Sequence, residues 1–157
     1  MAIELDAPPL RVWTVIEPIE HHVDWMVDAT EIRFETGQRR GVGTRFVCDT
    51  KVGPLRLSDR MEITRWEPPH AMGVRHTGVV TGDGTFTLDP IDLGRRTRFT
   101  WTERLRFPWY LGGRIGALLG GRLVLTTIWR RNLHALERRV APATPEPTHP
   151  ASPTDPA

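Results

Sequence analysis

The chain of 157 residues contains a single cysteine, Cys48. One cysteine cannot form an intrachain disulfide, and it cannot build a zinc site from several thiolates. No serine lies in a Gly-x-Ser-x-Gly elbow, and Gly41–Gly43 lacks the third glycine and the following helix of a dinucleotide-binding fingerprint. We therefore expect no serine hydrolase, no zinc enzyme, and neither a metal nor a nucleotide cofactor.

Long apolar runs are also missing. Within residues 1–141 no uncharged stretch exceeds seven residues, and two of this length, Ile115–Gly121 and Leu123–Trp129, are separated only by Arg122. A helix that crosses a bilayer needs about 20 apolar residues. The first nine residues have no basic start followed by an apolar run, so no signal peptide is visible. We expect a cytoplasmic protein without stable membrane insertion.

An excess of charge of one sign is absent as well. The 21 basic residues face 19 acidic ones, for a formal net charge of +2, and twenty of the basic residues are arginine. The arginine pairs at 39–40, 95–96, 130–131 and 138–139 are scattered among acids. A nucleic-acid-binding face requires clustered basic residues with few acids nearby. We expect no nucleic-acid partner.

What the sequence does contain is a long segment with helical spacing, residues 111–140. Its apolar residues recur mostly three or four positions apart, which predicts a helix with one buried stripe. They are Leu118, Leu125, Ile128, Trp129, Leu133, Leu136 and Val140. Pro108 precedes the segment and Pro142 follows it. The helix is expected to cover the apolar face of a sheet.

The composition changes abruptly after this segment. Residues 142–157 contain six prolines and no large apolar side chain. Such a segment cannot bury enough surface to offset its chain entropy. We predict one domain over residues 1–141 and a disordered proline-rich tail over residues 142–157.

The upstream half alternates between apolar and polar residues, with turn residues between the runs. This pattern predicts an antiparallel meander, because the connections are too short for helical crossovers. A short first strand holds Ile3 and Leu5, and two short helices follow at about 10–16 and 19–26. The later strands are predicted at 31–35, 44–52, 55–66, 72–77, 85–88 and 97–107, with a glycine-rich loop over 78–84.

The order and spacing of several segments resemble the SRPBCC (START/Bet v 1-like) superfamily, in particular its polyketide cyclase/dehydrase-like branch. The segments that carry the resemblance are residues 3–16, the region of Trp25, Gly41–Thr44, residues 63–69, residues 93–105 and the terminal helix. The resemblance implies an α+β helix-grip fold: a curved seven-stranded antiparallel sheet around a long C-terminal helix, with two short helices after the first strand and a ligand cavity inside. It does not imply a reaction, because such proteins include carriers, receptors and cyclases.

Strand alternation indicates which side chains face this cavity. Four arginines share one face of the last strand, so Glu103 lies in the opposite, apolar row. Asp59 interrupts the apolar row of the long strand, and His76 shares a face with two apolar residues. The strand residues predicted to line the cavity and bind the ligand are Phe46, Cys48, Thr50, Leu57, Asp59, Met61, Met72, Val74, His76, Phe99, Trp101 and Glu103. The residues of the helices and connections predicted to line it are Trp25, Trp109, Ile115, Leu118 and Arg122.

Three of these residues are candidate catalytic groups. Asp59, His76 and Glu103 would contact the polar end of a ligand or act on it as acid and base. The structural alternative is a network in which Arg122 neutralises an acid, or strand-end residues that reach solvent. Trp13 and Trp129 are expected in the core. The glycine-rich residues 108–121 would form a gate, or would let the helix pack closely.

Three functions remain open. The first is binding of a hydrophobic small molecule, polyketide, aromatic or lipid-like, as a carrier or sequestering protein. The second is a cyclase, aromatase or dehydratase that uses the cavity residues as acid and base. The third is a regulatory or interaction module with a vestigial cavity. The sequence is compatible with a monomer or a homodimer.

Overall fold

The computed structural model describes residues 1–108 and 122–141, apart from the side chains of residues 122–125. The expectations for the gate and for the proline-rich tail lie outside these residues. The helices are α1 (Pro9–Ile16), a 3-10 helix (Ile19–Asp24), a 3-10 turn (Asp92–Gly94) and α2 (Arg122–Val140). The strands are β1 (Ala2–Leu5), β2 (Ala29–Phe34), β3 (Arg45–Val52), β4 (Leu55–Glu67), β5 (Ala71–Thr77), β6 (Thr81–Ile91) and β7 (Arg96–Arg106).

The strands form one antiparallel sheet in the order β1-β7-β6-β5-β4-β3-β2. Strands β2 to β7 therefore follow one another as hairpins, and β1 returns to pair with β7. The tight turn between β3 and β4 has Gly53 at a φ of 58°, a left-handed conformation that glycine adopts at little cost. The predicted helix-grip architecture is confirmed.

The predicted loop over residues 78–84 is wrong, because β6 already begins at Thr81. Gly82 and Gly84 are members of the ladder, opposite Leu105 and Glu103 of β7. At Gly82 the backbone has a φ of 138°, and an added Cβ would lie 2.0 Å from the Arg104 carbonyl oxygen. These glycines permit close strand contact, whereas the sequence pattern indicated a break.

Helix α2 covers the concave face of the sheet with its apolar stripe. Ile128, Leu133, Leu136 and Val140 are buried, as the helical spacing predicted. In the same core, the rings of Trp13 and Trp66 meet edge to face at 5.4 Å. Trp13 is 3% exposed and is a core residue, as expected.

One buried polar residue ties α2 to the beginning of β2. Asn132 is 1% exposed. Its Oδ1 accepts a hydrogen bond from the Val27 backbone N–H at 2.8 Å, and its Nδ2 donates to Asp28 Oδ1 at 2.8 Å. Because both bonds come from one side chain, they fix the rotation of the helix and its position along the sheet.

Substitution Asn132→Ala should lower the free energy of unfolding by about 1–3 kcal/mol, because it leaves buried polar groups without partners. Urea denaturation at neutral pH measures this change. Arg130→Ala, on the exposed side of the same helix, is the matched control and should change stability by less than about 0.5 kcal/mol. Equal effects of the two substitutions would show that Asn132 does not anchor the helix.

Candidate functional site

A cavity of about 170 Å³ lies between the concave face of the sheet and α2. Many of the residues that line it are those whose side chains strand alternation places inward. These are Phe46, Cys48, Thr50, Leu57, Asp59, Met61, Met72, Val74, His76, Trp101 and Glu103. The only register shift in the β4–β5 pairing falls between Ile63 and Arg65, after the inward row of β4. The alternation therefore holds along the parts of β4 and β5 that border the cavity, whereas in β2 a register shift after Ala29 separates the lining residues Ala29 and Ile32.

Two predicted residues do not border the cavity. Trp25 and Phe99 are 1% and 0% exposed and belong to the packed core. The ring of Trp25 packs edge-on against Trp101 at 6.1 Å, and Phe99 lies 5.2 Å from Phe86. Both residues contact lining side chains, but they lie in the packed core that fills the end of the sheet where β1 joins β7. Trp109, Ile115 and Leu118 lie outside the described residues, and so does the side chain of Arg122.

Several lining residues were not among the predicted site residues. They are His22, Met26, Asp28, Ala29, Ile32, Val52, Ile63, Val80, Gly84, Thr85, Phe86, Leu105, Phe107 and Trp129. Val52, Ile63, Leu105 and Phe107 continue inward rows, so extending those rows would have found them. His22 and Asp28 lie on a 3-10 helix and a loop, where no period marks the inner face. Trp129 was expected in the core, but it is half-buried and borders the cavity.

The polar side chains of the cavity gather around a carboxylate–imidazole pair. His76 Nδ1 and Asp59 Oδ2 are 2.5 Å apart, and both side chains are only 7% exposed. The pair bridges β4 and β5. Within the described part of the chain, Asp59 Oδ1 and His76 Nε2 have no hydrogen-bond partner. A buried polar atom without a partner costs about 1–3 kcal/mol, so each of these two atoms would gain from a hydrogen-bonding group that came within reach.

Glu103 is the second carboxylate of this group. Its side chain lies over Gly84, where an added Cβ would be 3.4 Å from Glu103 Cγ. Burial raises the pKa of Glu103 above the ordinary value, while His76 and a hydrogen bond from the Trp101 side chain oppose the rise. Glu103 therefore keeps its proton to a higher pH than an exposed glutamate would.

His22 contributes a different kind of imidazole. Its Nε2 lies 2.7 Å from the Ile16 carbonyl oxygen, so the neutral ring donates from Nε2. Burial lowers the pKa of His22 to about 4. The ring also packs edge to face on Trp25 at 5.2 Å. His22 is thus a neutral, fixed part of the cavity wall near pH 7.

Cys48 lines the cavity but is not a nucleophile in this setting. Burial, and then the nearby charge of Asp28, Asp59 and Asp49, raise the pKa of its thiol to about 12. The reactive form of cysteine is the thiolate, so the protonated Cys48 serves as an apolar wall. The described residues contain no group of three or more histidine, cysteine or acidic side chains able to hold a metal ion.

Comparison with known families agrees with this architecture. Residues 1–141 match the family described as polyketide cyclase / dehydrase and lipid transport. The chain belongs to this family. Membership in the polyketide cyclase/dehydrase and lipid transport family indicates a hydrophobic-ligand-binding or cyclase role, without specifying which. No curated protein matches the sequence. Among the described residues, no helix is both long and apolar enough to span a membrane.

Solved structures share the fold at low sequence identity. Protein TTHA0849 from Thermus thermophilus is 20% identical, with a TM-score of 0.69 over 89% of this chain and 94% of that one. The Zhui aromatase/cyclase from a Streptomyces species is 18% identical, with a TM-score of 0.62 over 89% and 88%. The di-domain ARO/CYC protein BexL is 14% identical, with a TM-score of 0.70 over 92% of this chain and 50% of that one. At these identities the likeness concerns the fold alone.

The buried His22 should make this family member less stable in mild acid. Its pKa is about 4 in the folded chain and near 6.5 when exposed, so the unfolded chain binds the additional proton between these values. Stability should fall as pH falls through this window, with a His22 contribution of about 2 kcal/mol between pH 7 and pH 5.

The substitution His22→Gln isolates this contribution, because its amide can donate to the same Ile16 carbonyl but does not titrate. Urea denaturation at pH 7 and pH 5 measures both proteins. The wild type should lose about 2 kcal/mol more than the variant over this interval. Parallel losses in the two proteins would mean that His22 titrates as an exposed histidine does.

Proposed function

We propose that the protein binds a hydrophobic small molecule, of polyketide, aromatic or lipid-like character, in the cavity between the sheet and α2, as a carrier or sequestering protein. The observation that carries the proposal is a largely apolar cavity with one group of polar atoms that lack protein partners among the described residues. An enclosed apolar space with a few convergent polar groups is the usual form of a small-molecule site. Family membership supports the same role.

The walls favour a flat or flexible apolar body. Phe86 and Trp101 meet edge to face at 5.0 Å, and Trp129 lies 6.2 Å from Trp101. Aromatic walls suit aromatic ligands, since rings pack on one another in offset or edge-to-face arrangements. Met61 and Met72 line the same space, and their unbranched side chains adapt to ligands of differing shape.

The polar group favours a ligand that carries a hydroxyl or a carbonyl. Asp59 Oδ1 is an acceptor, and it would take a hydrogen bond from a hydroxyl or enol. Protonated Glu103 has an O–H that would donate to a carbonyl oxygen. A pure hydrocarbon satisfies neither group, so oxygen-bearing ligands should bind more tightly than hydrocarbons of the same size.

A larger side chain inside the cavity should abolish binding. Val74 is half-buried and borders the cavity, so Val74→Phe would occupy the space that the ligand requires. The fluorescent probe N-phenyl-1-naphthylamine should bind the wild type and lose at least about tenfold in affinity for the variant, because ligand and ring cannot share the space. Fluorescence titration measures the affinity, and native mass spectrometry detects any ligand retained on purification.

The matched control is Val47→Phe, on strand β3 of the same sheet and outside the cavity lining. This variant should bind the probe as the wild type does, and urea denaturation should confirm that both variants are folded. Equal probe affinity in Val74→Phe and the wild type would contradict the cavity as the binding site.

A second candidate function is catalysis of cyclisation, aromatisation or dehydration. Its support is that the cavity lining holds both an imidazole nitrogen without a partner among the described residues, His76 Nε2, and a carboxyl whose pKa is raised by burial, Glu103. His76 Nε2 would remove a proton from a carbon next to a ketone, while the protonated form of Glu103 donates its proton to the ketone oxygen. The product is an enol. It is the carbon nucleophile of a cyclisation and the species that loses water in a dehydration.

This candidate predicts hydrogen exchange at a ketone. In D₂O the wild type should exchange the methyl protons of acetophenone, as measured by NMR, and His76→Ala or Glu103→Gln should lower the rate by about 100-fold or more. His21→Ala, which removes an exposed histidine, is the control and should leave the rate unchanged. If acetophenone binds but its methyl protons do not exchange, the carrier function stands and enolisation of this ketone is excluded.

A further inference from the structure

A second depression lies beside the cavity, between the β3–β4 hairpin, the segment before β2 and the first turns of α2. We call it the outer groove. Its lining residues are Val27, Asp28, Lys51, Val52, Gly53, Thr127, Ile128 and Arg131. Asp28 and Val52 border both the outer groove and the cavity. The two spaces therefore share a wall, and a ligand that passes this wall would occupy both.

The charges of the two spaces are opposite. The titratable groups of the cavity lining are acids and imidazoles, namely Asp28, Asp59, Glu103, His22 and His76, besides the Cys48 thiol. The outer groove carries two cations, Lys51 and Arg131, which are exposed and have no ion pair among the described residues. Its one acid, Asp28, accepts a hydrogen bond from Asn132.

The hairpin tip carries two cations, Lys51 and Arg56, and neither forms an ion pair with a carboxylate of the described residues. Lys51 lies directly opposite Arg56 in the β3–β4 ladder, and like charges in this position repel. Two residues earlier on β3, Asp49 pairs with Arg33 at 2.6 Å. Lys51 is also the only lysine in the chain. An anion at the outer groove would reduce the repulsion at the tip.

We propose that the outer groove holds the anionic end of the ligand whose apolar part occupies the cavity. This deepens the proposed function and rests on it: the ligand class is an anionic amphiphile, with a carboxylate or a phosphate on an apolar chain or ring. The orientation follows from the charges. An anion placed beside Asp59 would meet like charge in a poorly solvated space, whereas at the groove it meets Lys51 and Arg131 in contact with water.

The first experiment compares ligands with the same chain and different head groups. Decanoate, decyl phosphate and decanol compete with N-phenyl-1-naphthylamine for the wild type and for the double variant Lys51→Gln/Arg131→Gln, at pH 8 and low salt. The double variant should bind decanoate and decyl phosphate about five- to tenfold more weakly, and decanol unchanged. Added salt at about 0.5 M should shrink the difference.

The control variant is Arg130→Gln, which removes an exposed charge from the same helix outside the groove lining. Its decanoate affinity should equal that of the wild type. A loss as large as that of the double variant would assign the effect to the net charge of the protein, and it would overturn the proposal.

The second experiment uses the single lysine. An amine-reactive acetylating reagent has two targets on the chain, Lys51 and the N-terminal amine, whose nitrogen donates to the Trp101 carbonyl oxygen at 2.7 Å. Saturating decanoate should slow acetylation of Lys51 severalfold, and decanol should not. Peptide mass spectrometry measures both sites in one sample, so the N-terminus serves as the internal reference.

The outcomes separate the two proposals. If decanol displaces the probe but the double variant treats all three ligands alike and Lys51 is not protected, the cavity function stands and the anionic subsite is overturned. If neither decanol nor decanoate displaces the probe, the proposed function fails, and the subsite fails with it. Selective loss for either anion, together with protection of Lys51, supports the subsite, and the more affected anion identifies the head group.

Discussion

The width of the sheet relative to the single long helix is the constraint on which the rest of this structure depends. Seven strands about 4.8 Å apart span about 29 Å, whereas a helix with its side chains is about 10–12 Å across. The sheet must therefore curve, and α2 still cannot fill the concave side. Short elements close one end: α1 and the 3-10 helix bring Trp13, Trp25 and Ile16 into a solid core. Toward the other end, between α2 and the inward rows of β3 to β7, the cavity remains.

The polar residues of the cavity are arranged so that one structure can hold both a core and a site. Asp59, His76 and Glu103 come from three strands, and each interrupts a row that is otherwise apolar. Their burial is tolerable because Asp59 and His76 pair with each other and because burial raises the pKa of Glu103, which favours its neutral form. The cations of the described lining lie in the neighbouring groove. Under the proposed anionic subsite, the cations of the outer groove and the acids Asp59 and Glu103 of the cavity would orient an amphiphilic ligand.

Much of the fold and part of the candidate site could be predicted from the chain because strand alternation is a local property. The inward positions of Asp59, His76 and Glu103 follow from counting along their own strands. The same counting failed where one local pattern is compatible with two structures. Gly82 was interpreted as a loop residue, yet it is in β6 because only glycine allows its contact with the Arg104 carbonyl. Phe99 continues an inward row, but its part of the row faces packed core.

The sequence by itself determined the antiparallel order, the inward and outward rows and the apolar stripe of α2, since each depends on the period of neighbouring residues. Only the tertiary structure decided where the cavity ends, that His76 meets Asp59 at 2.5 Å, and that His22 and Asp28 border the same space. These facts depend on the curvature of the sheet and on the position at which Asn132 anchors the helix, 105 residues along the chain from Val27. No period within a segment encodes a distance between segments, and packing fixes that distance.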